Sequence, residues 1–149
     1  MFSDATEGTK LGVLTDLGSY TPHVIEAFSG CDALVLESNH DEQMLADGPY
    51  PPSLKRRVLG DWGHLSNRQA MQLLAQCDRD RLQWLVVAHI SQQNNTPQLA
   101  LDAFADVWPS PERIVLAEQD TGFDWLTIEP AVSLTHTCHD EPERAQAIS

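Results

Sequence analysis

Apolar residues in this chain fall into short unbroken runs, and stretches with helical spacing lie between them. Runs at 11–15, 33–36, 84–88 and 113–117 predict four strands. The run at 33–36 is apolar at successive positions, as in a strand covered on both faces. Thr21-Pro22 and Thr96-Pro97 each set a capping residue before a proline, the order that opens a helix. The first of these helices carries His23, Val24, Ile25, Ala27 and Phe28 and stops at Gly30; the second turns Leu99, Ala100, Ala103, Phe104 and Val107 inward. Ser66-Asn67-Arg68-Gln69 fits a capping box, and the helix it opens puts Ala70, Leu73, Leu74 and Cys77 on one face. Met44 and Leu45 mark a helical turn, 48–52 a proline-rich loop, and 53–59 a further helix.

Residues 122–128 read as a short hairpin return, and those before Lys10 as a polar lead into the first strand. Charges without periodicity from Glu129 onward predict a flexible tail, so the expected division is a folded unit at 1–128 and a tail at 129–149. Strands alternating with helices make this an α/β layered fold. Few strands remain to cover the other edge and face of the strand at 11–15.

Composition narrows the picture. A chain of 149 residues, 42% hydrophobic, supports one core and no second. No run of about 18 apolar residues occurs, so no membrane span is expected. The N-terminus lacks a signal peptide's pattern, and Cys31, Cys77 and Cys138 are odd in number and far apart, which fits reduced thiols in the cytoplasm. A net charge of −13 disfavours nonspecific coating of nucleic acid. Lys55, Arg56 and Arg57 nevertheless form a basic cluster, with Arg68, Arg79 and Arg81 soon after, leaving room for a local anion-binding face.

Polar clusters follow three of the apolar runs: Thr15-Asp16-Leu17-Gly18, Glu37-Ser38-Asn39-His40-Asp41 and Ala88-His89-Ile90-Ser91. A fourth, Gly63-His64-Leu65-Ser66-Asn67, sits at a helix start. Strand ends are where α/β sheets gather their sites. Asp16 and His89 have the chemistry of metal ligands, a carboxylate able to bridge two cations and an imidazole able to complete a coordination sphere. Each also has a structural reading, Asp16 as a turn former and His89 as an ordinary loop residue. Asn39 to Asp41 read equally as a cap for the turn after the strand. Lys55, Arg56 and Arg57 read equally as a solvated helical face. His136, Cys138 and His139 read best as adventitious metal binders.

Taken in order, "TDLG", "LESNHD", "GPYPPSLKRRVLGDWGHLSN" and "AHISQQNN" resemble the C-terminal half of the metallo-β-lactamase superfamily, in particular its bacterial YycJ-like group, related to the tRNA 3′-processing endonucleases. The resemblance runs from about Leu11 to Ile128. It implies the second half of an αββα sandwich, and a phosphodiesterase that cleaves DNA as a 5′-exonuclease when complete. It implies two divalent metals, zinc or manganese, with Asp16 as the bridging carboxylate and His89 as the last histidine ligand. His64 is then the histidine that contacts the scissile phosphate and protonates the leaving oxygen, and Glu37 orients it. The helix opened by Ser66 adds free N–H groups facing a phosphate. His40, Asp41, Asn94 and Asn95 line or support the substrate cleft, and Lys55, Arg56 and Arg57 hold a nucleic-acid backbone.

The superfamily's His-x-His-x-Asp-His string does not occur in this sequence. Asp16 and His89 alone do not make a tight site, so the isolated chain is expected to be inactive unless a missing N-terminal half or a homodimer completes it. The rival readings are a non-catalytic α/β interaction module and a hydrolase of a small ester or thioester.

Overall fold

The structure is a computed structural model that describes residues 2–4 and 8–130. Its centre is a five-stranded sheet in the order β1 (Phe2–Asp4), β2 (Thr9–Leu14), β3 (Ala33–Glu37), β4 (Trp84–Ala88) and β5 (Ile114–Leu116). The strands β2 to β5 are parallel, with Leu11 opposite Ala33, Ala33 opposite Trp84 and Leu85 opposite Ile114. The expected α/β class is thus observed. The strand β1 is a correction to the sequence reading, which foresaw only a polar lead there. It pairs antiparallel with β2, Phe2 opposite Leu11, and covers the edge for which no strand seemed to be left.

Helices fill each parallel crossover: α1 (Pro22–Phe28) before β3, then α2 (Glu42–Asp47), α3 (Pro52–Val58) and α4 (Asn67–Gln76) before β4, and α5 (Pro97–Asp102) before β5. Strand order follows chain order without reversal, so crossovers of one hand stack α1, α4 and α5 on the same face. The core on that face joins Leu34, Leu36, Leu85 and Val87 of the sheet to Leu65, Leu73, Leu74, Ala100 and Phe104. Ala70, Leu73, Leu74 and Cys77 are all buried, as their spacing predicts. Leu99 is not; it lies 38% exposed in the first turn of α5.

The opposite face carries Leu11, Val13, Ala33, Val35 and Val86, and what covers it is the segment 123–128. The foreseen hairpin at 122–128 is not formed. Only a single bridge joins Glu118 to Gly122, and 123–130 has no regular secondary structure. Side chains hold this segment in place of a ladder: Trp84 Nε1 donates to the Thr127 carbonyl at 2.8 Å, and Gln83 exchanges two hydrogen bonds with the Glu129 backbone. A cavity of about 300 Å³ remains beneath it, and Trp125 is fully exposed above. No helix among the described residues is long and apolar enough to cross a membrane. The expected tail lies, apart from Glu129 and Pro130, outside the described residues, as do His136, Cys138 and His139.

Candidate metal centre

All four parallel strands point their C-terminal ends to one rim, and three of them deliver the candidate ligands there. Asp16 follows β2, Glu37 closes β3 and His89 follows β4. Among the described residues, Asp16 (φ 60°) and His89 (φ 56°) are the non-glycine positions with left-handed backbone. Aspartate and histidine tolerate that region better than most residues, yet it still carries a cost that surrounding contacts must hold.

Those contacts come from the end of β3. The Asp16 and Leu17 N–H groups both donate to Glu37 Oε2, the latter at 3.3 Å. Asn39 Nδ2 donates to the His89 carbonyl at 2.9 Å, and the Ser91 N–H returns to the Asn39 carbonyl at 2.8 Å. Thus one segment, 37–39, clamps both turns. Sequence reasoning assigned Glu37 only to His64 and treated Asn39 as a turn former. Nothing in the local pattern signals the clamp, because both partners lie distant in sequence.

His64 arrives on the loop between α3 and α4, which packs backbone to backbone against the Asp16 turn. A Cβ on Gly18 would lie 2.2 Å from the Gly60 carbonyl, and one on Gly63 would lie 2.0 Å from the Val58 carbonyl. Neither glycine has a positive φ; both are required by space.

Glu37 is completely buried and sits between the two imidazoles. His64 Nδ1 is 2.9 Å from Glu37 Oε1, and His89 Nδ1 is 3.4 Å from Oε2. The first pair has an ion pair's separation without the alignment of a directed hydrogen bond. Asp16 Oδ1 lies 3.9 Å and 3.8 Å from the same two ring nitrogens, and the rings meet edge to face at 4.9 Å. Asp16, His64 and His89 each offer a ligand atom within 4.8 Å of the others. Two imidazoles and a carboxylate are a zinc-type donor set, one short of a closed tetrahedral site. The residues present therefore fit a divalent cation, with the remaining coordination left to other groups.

The other candidates separate clearly. Asp41 caps α2, its Oδ1 accepting the Met44 N–H at 2.8 Å, which is the capping alternative. Asn95 is buried among Ser38, Asn67 and Thr96 and braces the loop after His89. Asn94 is buried as well, its Oδ1 without a partner among the described residues. Arg56 and Arg57 are exposed on α3, while Lys55 Nζ donates to the Ala46 carbonyl. Arg68 is paired with Glu42, whose carboxyl it holds below the usual range, and Arg81 is paired with Asp32. The capping box of Ser66 and Gln69 is formed as foreseen. Two of the N–H groups at that helix start are taken, the Asn67 N–H by the His40 carbonyl and the Gln69 N–H by Ser66 Oγ.

His40 is wholly buried, and neither ring nitrogen has a partner among the described residues. Burial holds its pKa below the ordinary 6.5, and nearby His64 pushes the same way against Glu42 and Asp41. The unfolded chain then binds a proton that the folded chain refuses. Stability is unaffected above the ordinary value and falls as pH drops below it, by at most about 1.4 kcal/mol per pH unit for one proton. Urea midpoints between about pH 7.5 and about pH 5.5 should decline. In His40→Gln that decline should be shallower.

The chain is 41% identical over 91 residues to exodeoxyribonuclease YycJ of Bacillus anthracis, a match covering 61% of this chain and 34% of that protein. It is 33% identical over 88 residues to exodeoxyribonuclease WalJ of Streptococcus pneumoniae serotype 2, covering 59% of this chain and 33% of that protein. The chain thus spans about a third of the length of the curated relatives it matches. No family model matches it, and no solved structure does.

Proposed function

We propose that this chain is the C-terminal part of a metallo-β-lactamase-type αββα sandwich, and that the complete assembly hydrolyses phosphodiester bonds of DNA as a metal-dependent exonuclease. The observation that carries the reading is the knot of Asp16, His64 and His89 around buried Glu37 at the strand ends. The exodeoxyribonuclease names of its relatives support the substrate class. Asp16 and His89 would hold a divalent ion, zinc or manganese, which when bound supplies Lewis-acid polarisation of a phosphoryl oxygen.

The chain's own residues account for the proton. Glu37 faces His64 Nδ1, which leaves Nε2–H as the donor to the departing oxygen. Facing Nδ1, Glu37 leaves the Nε2 edge of the ring turned away from itself. Arg56 and Arg57 are exposed on α3 and would contact the phosphate backbone.

Metal content by mass spectrometry tests the reading. The purified chain loaded with zinc should retain about one ion, and Asp16→Ala or His89→Ala should lose it. His64→Ala should weaken retention as well, since Asp16 and His89 alone do not make a tight site, and no zinc in the parent chain would sink the reading for this chain.

A second reading is favoured by the outer sheet face, where Val13 and Phe123 are 38% and 46% exposed beside Trp125. It makes the chain a non-catalytic module that self-associates there. Concentration-dependent dimerisation without metal, with zinc uptake absent, would select it.

A further inference from the structure

Two cavities flank His89, and their linings differ in charge. The larger, about 740 Å³, is bounded by Asp16, Glu118 and Asp120 and is acidic. The smaller, about 370 Å³, opens beside His64 and His89 between α3 and the loop 90–94. No Lys, Arg, Asp or Glu lines it. Tyr50, Leu54 and Val58 form its apolar wall, and Asn39, Gln93 and Asn94 supply amides.

The geometry points to this smaller cavity as a pocket for a single unpaired nucleobase, placing the attached phosphate at the His64–His89 mouth. This rests on the phosphodiesterase reading and deepens it by naming a single-stranded DNA end as the substrate. A polyanion is repelled from the acidic cavity, which leaves the uncharged one as the side it can enter. A neutral pocket of this size suits one small aromatic group, near the lower bound of about 300 Å³ for small-molecule sites. Amide side chains match the donors and acceptors of base edges, and a tyrosine offers a stacking face. Tyr50 stands between Pro49 and Pro51, so its backbone is stiff and little freedom is lost on stacking.

The test is an NMR titration of the full chain in chelator, with deoxyadenosine monophosphate and deoxyribose 5-phosphate as probes. The nucleotide should bind about tenfold tighter than the base-free sugar phosphate, the size of one stacking contact. Tyr50→Ala should abolish that difference and Tyr50→Phe should keep it, with unchanged circular dichroism. Equal binding of the two probes by the parent chain, or no binding of either, overturns the pocket. So does a difference that survives in folded Tyr50→Ala. No metal and no cleavage enter the measurement, so failure of the metal reading would leave the preference intact. An occupied metal centre with equal probe binding would remove the pocket alone.

Discussion

Glu37→Ala should cost the chain about 3 kcal/mol of stability and abolish zinc uptake. The carboxylate is wholly buried, accepts the Asp16 and Leu17 N–H groups and faces two imidazoles. Removing it leaves these groups without their acceptor and releases the left-handed turn at Asp16. Glu37→Gln separates the two jobs. Its amide oxygen can still accept the backbone N–H groups, so the stability loss should be only about 1 kcal/mol. The lost charge removes what orients His64 and His89, and zinc affinity should fall about 10- to 100-fold, as when a metal ligand loses its supporting partner. If the complete assembly is the proposed exonuclease, that variant should lower its turnover by about 10²- to 10⁴-fold, the span of a misplaced general acid. Urea midpoints beside zinc titrations against a competing chelator read both effects. A Gln variant with unchanged zinc affinity and an Ala variant with native stability would show that Glu37 is only filler.

Gly63→Ala should be the most damaging single methyl group in the molecule. Its Cβ would lie 2.0 Å from the Val58 carbonyl oxygen and 2.5 Å from that of Arg57, and neither obstacle is a side chain that can turn aside. The end of α3 or the loop itself must move, which also disturbs the hydrogen bond from the His64 N–H to Val58. The cost should reach the upper part of the range of about 1–3 kcal/mol for overpacking, with His64 displaced from Glu37. Gly30→Ala is the matched control. Gly30 has φ 69° with nothing within 4 Å of a built Cβ, so it should lose about 1 kcal/mol and leave the centre undisturbed. Denaturation curves give the stability, and the ring resonances of His64 report its place. If Gly63→Ala is no worse than Gly30→Ala, the two loops are looser than their packing indicates.

Local chemistry was legible wherever it is written in neighbouring residues. The boundaries of β4, the capping box at Ser66 and Gln69, and the starts of α1 and α5 at Pro22 and Pro97 follow from side chains within a few positions of one another. The misreadings share the opposite character. Residues 122–128 carry a strand-like pattern, but Trp84 holds the Thr127 carbonyl and Gln83 the adjoining Glu129 backbone, and the segment lies as a strap over the sheet. Phe2 to Asp4 become a strand only because β2 offers a free edge.

For the centre the division is the same. The sequence alone determined which residue types stand at the strand ends, because an apolar run followed by an aspartate or histidine is a local signal. It also determined the α/β class, since alternating periods leave little other choice. Tertiary structure decided that Asp16, His64 and His89 meet, that Glu37 and Asn39 clamp the turns bearing two of them, and that one flank is acidic while the other is neutral. Each depends on groups that parallel pairing brings together at one rim of the sheet, and no local periodicity encodes the distance between two strand ends.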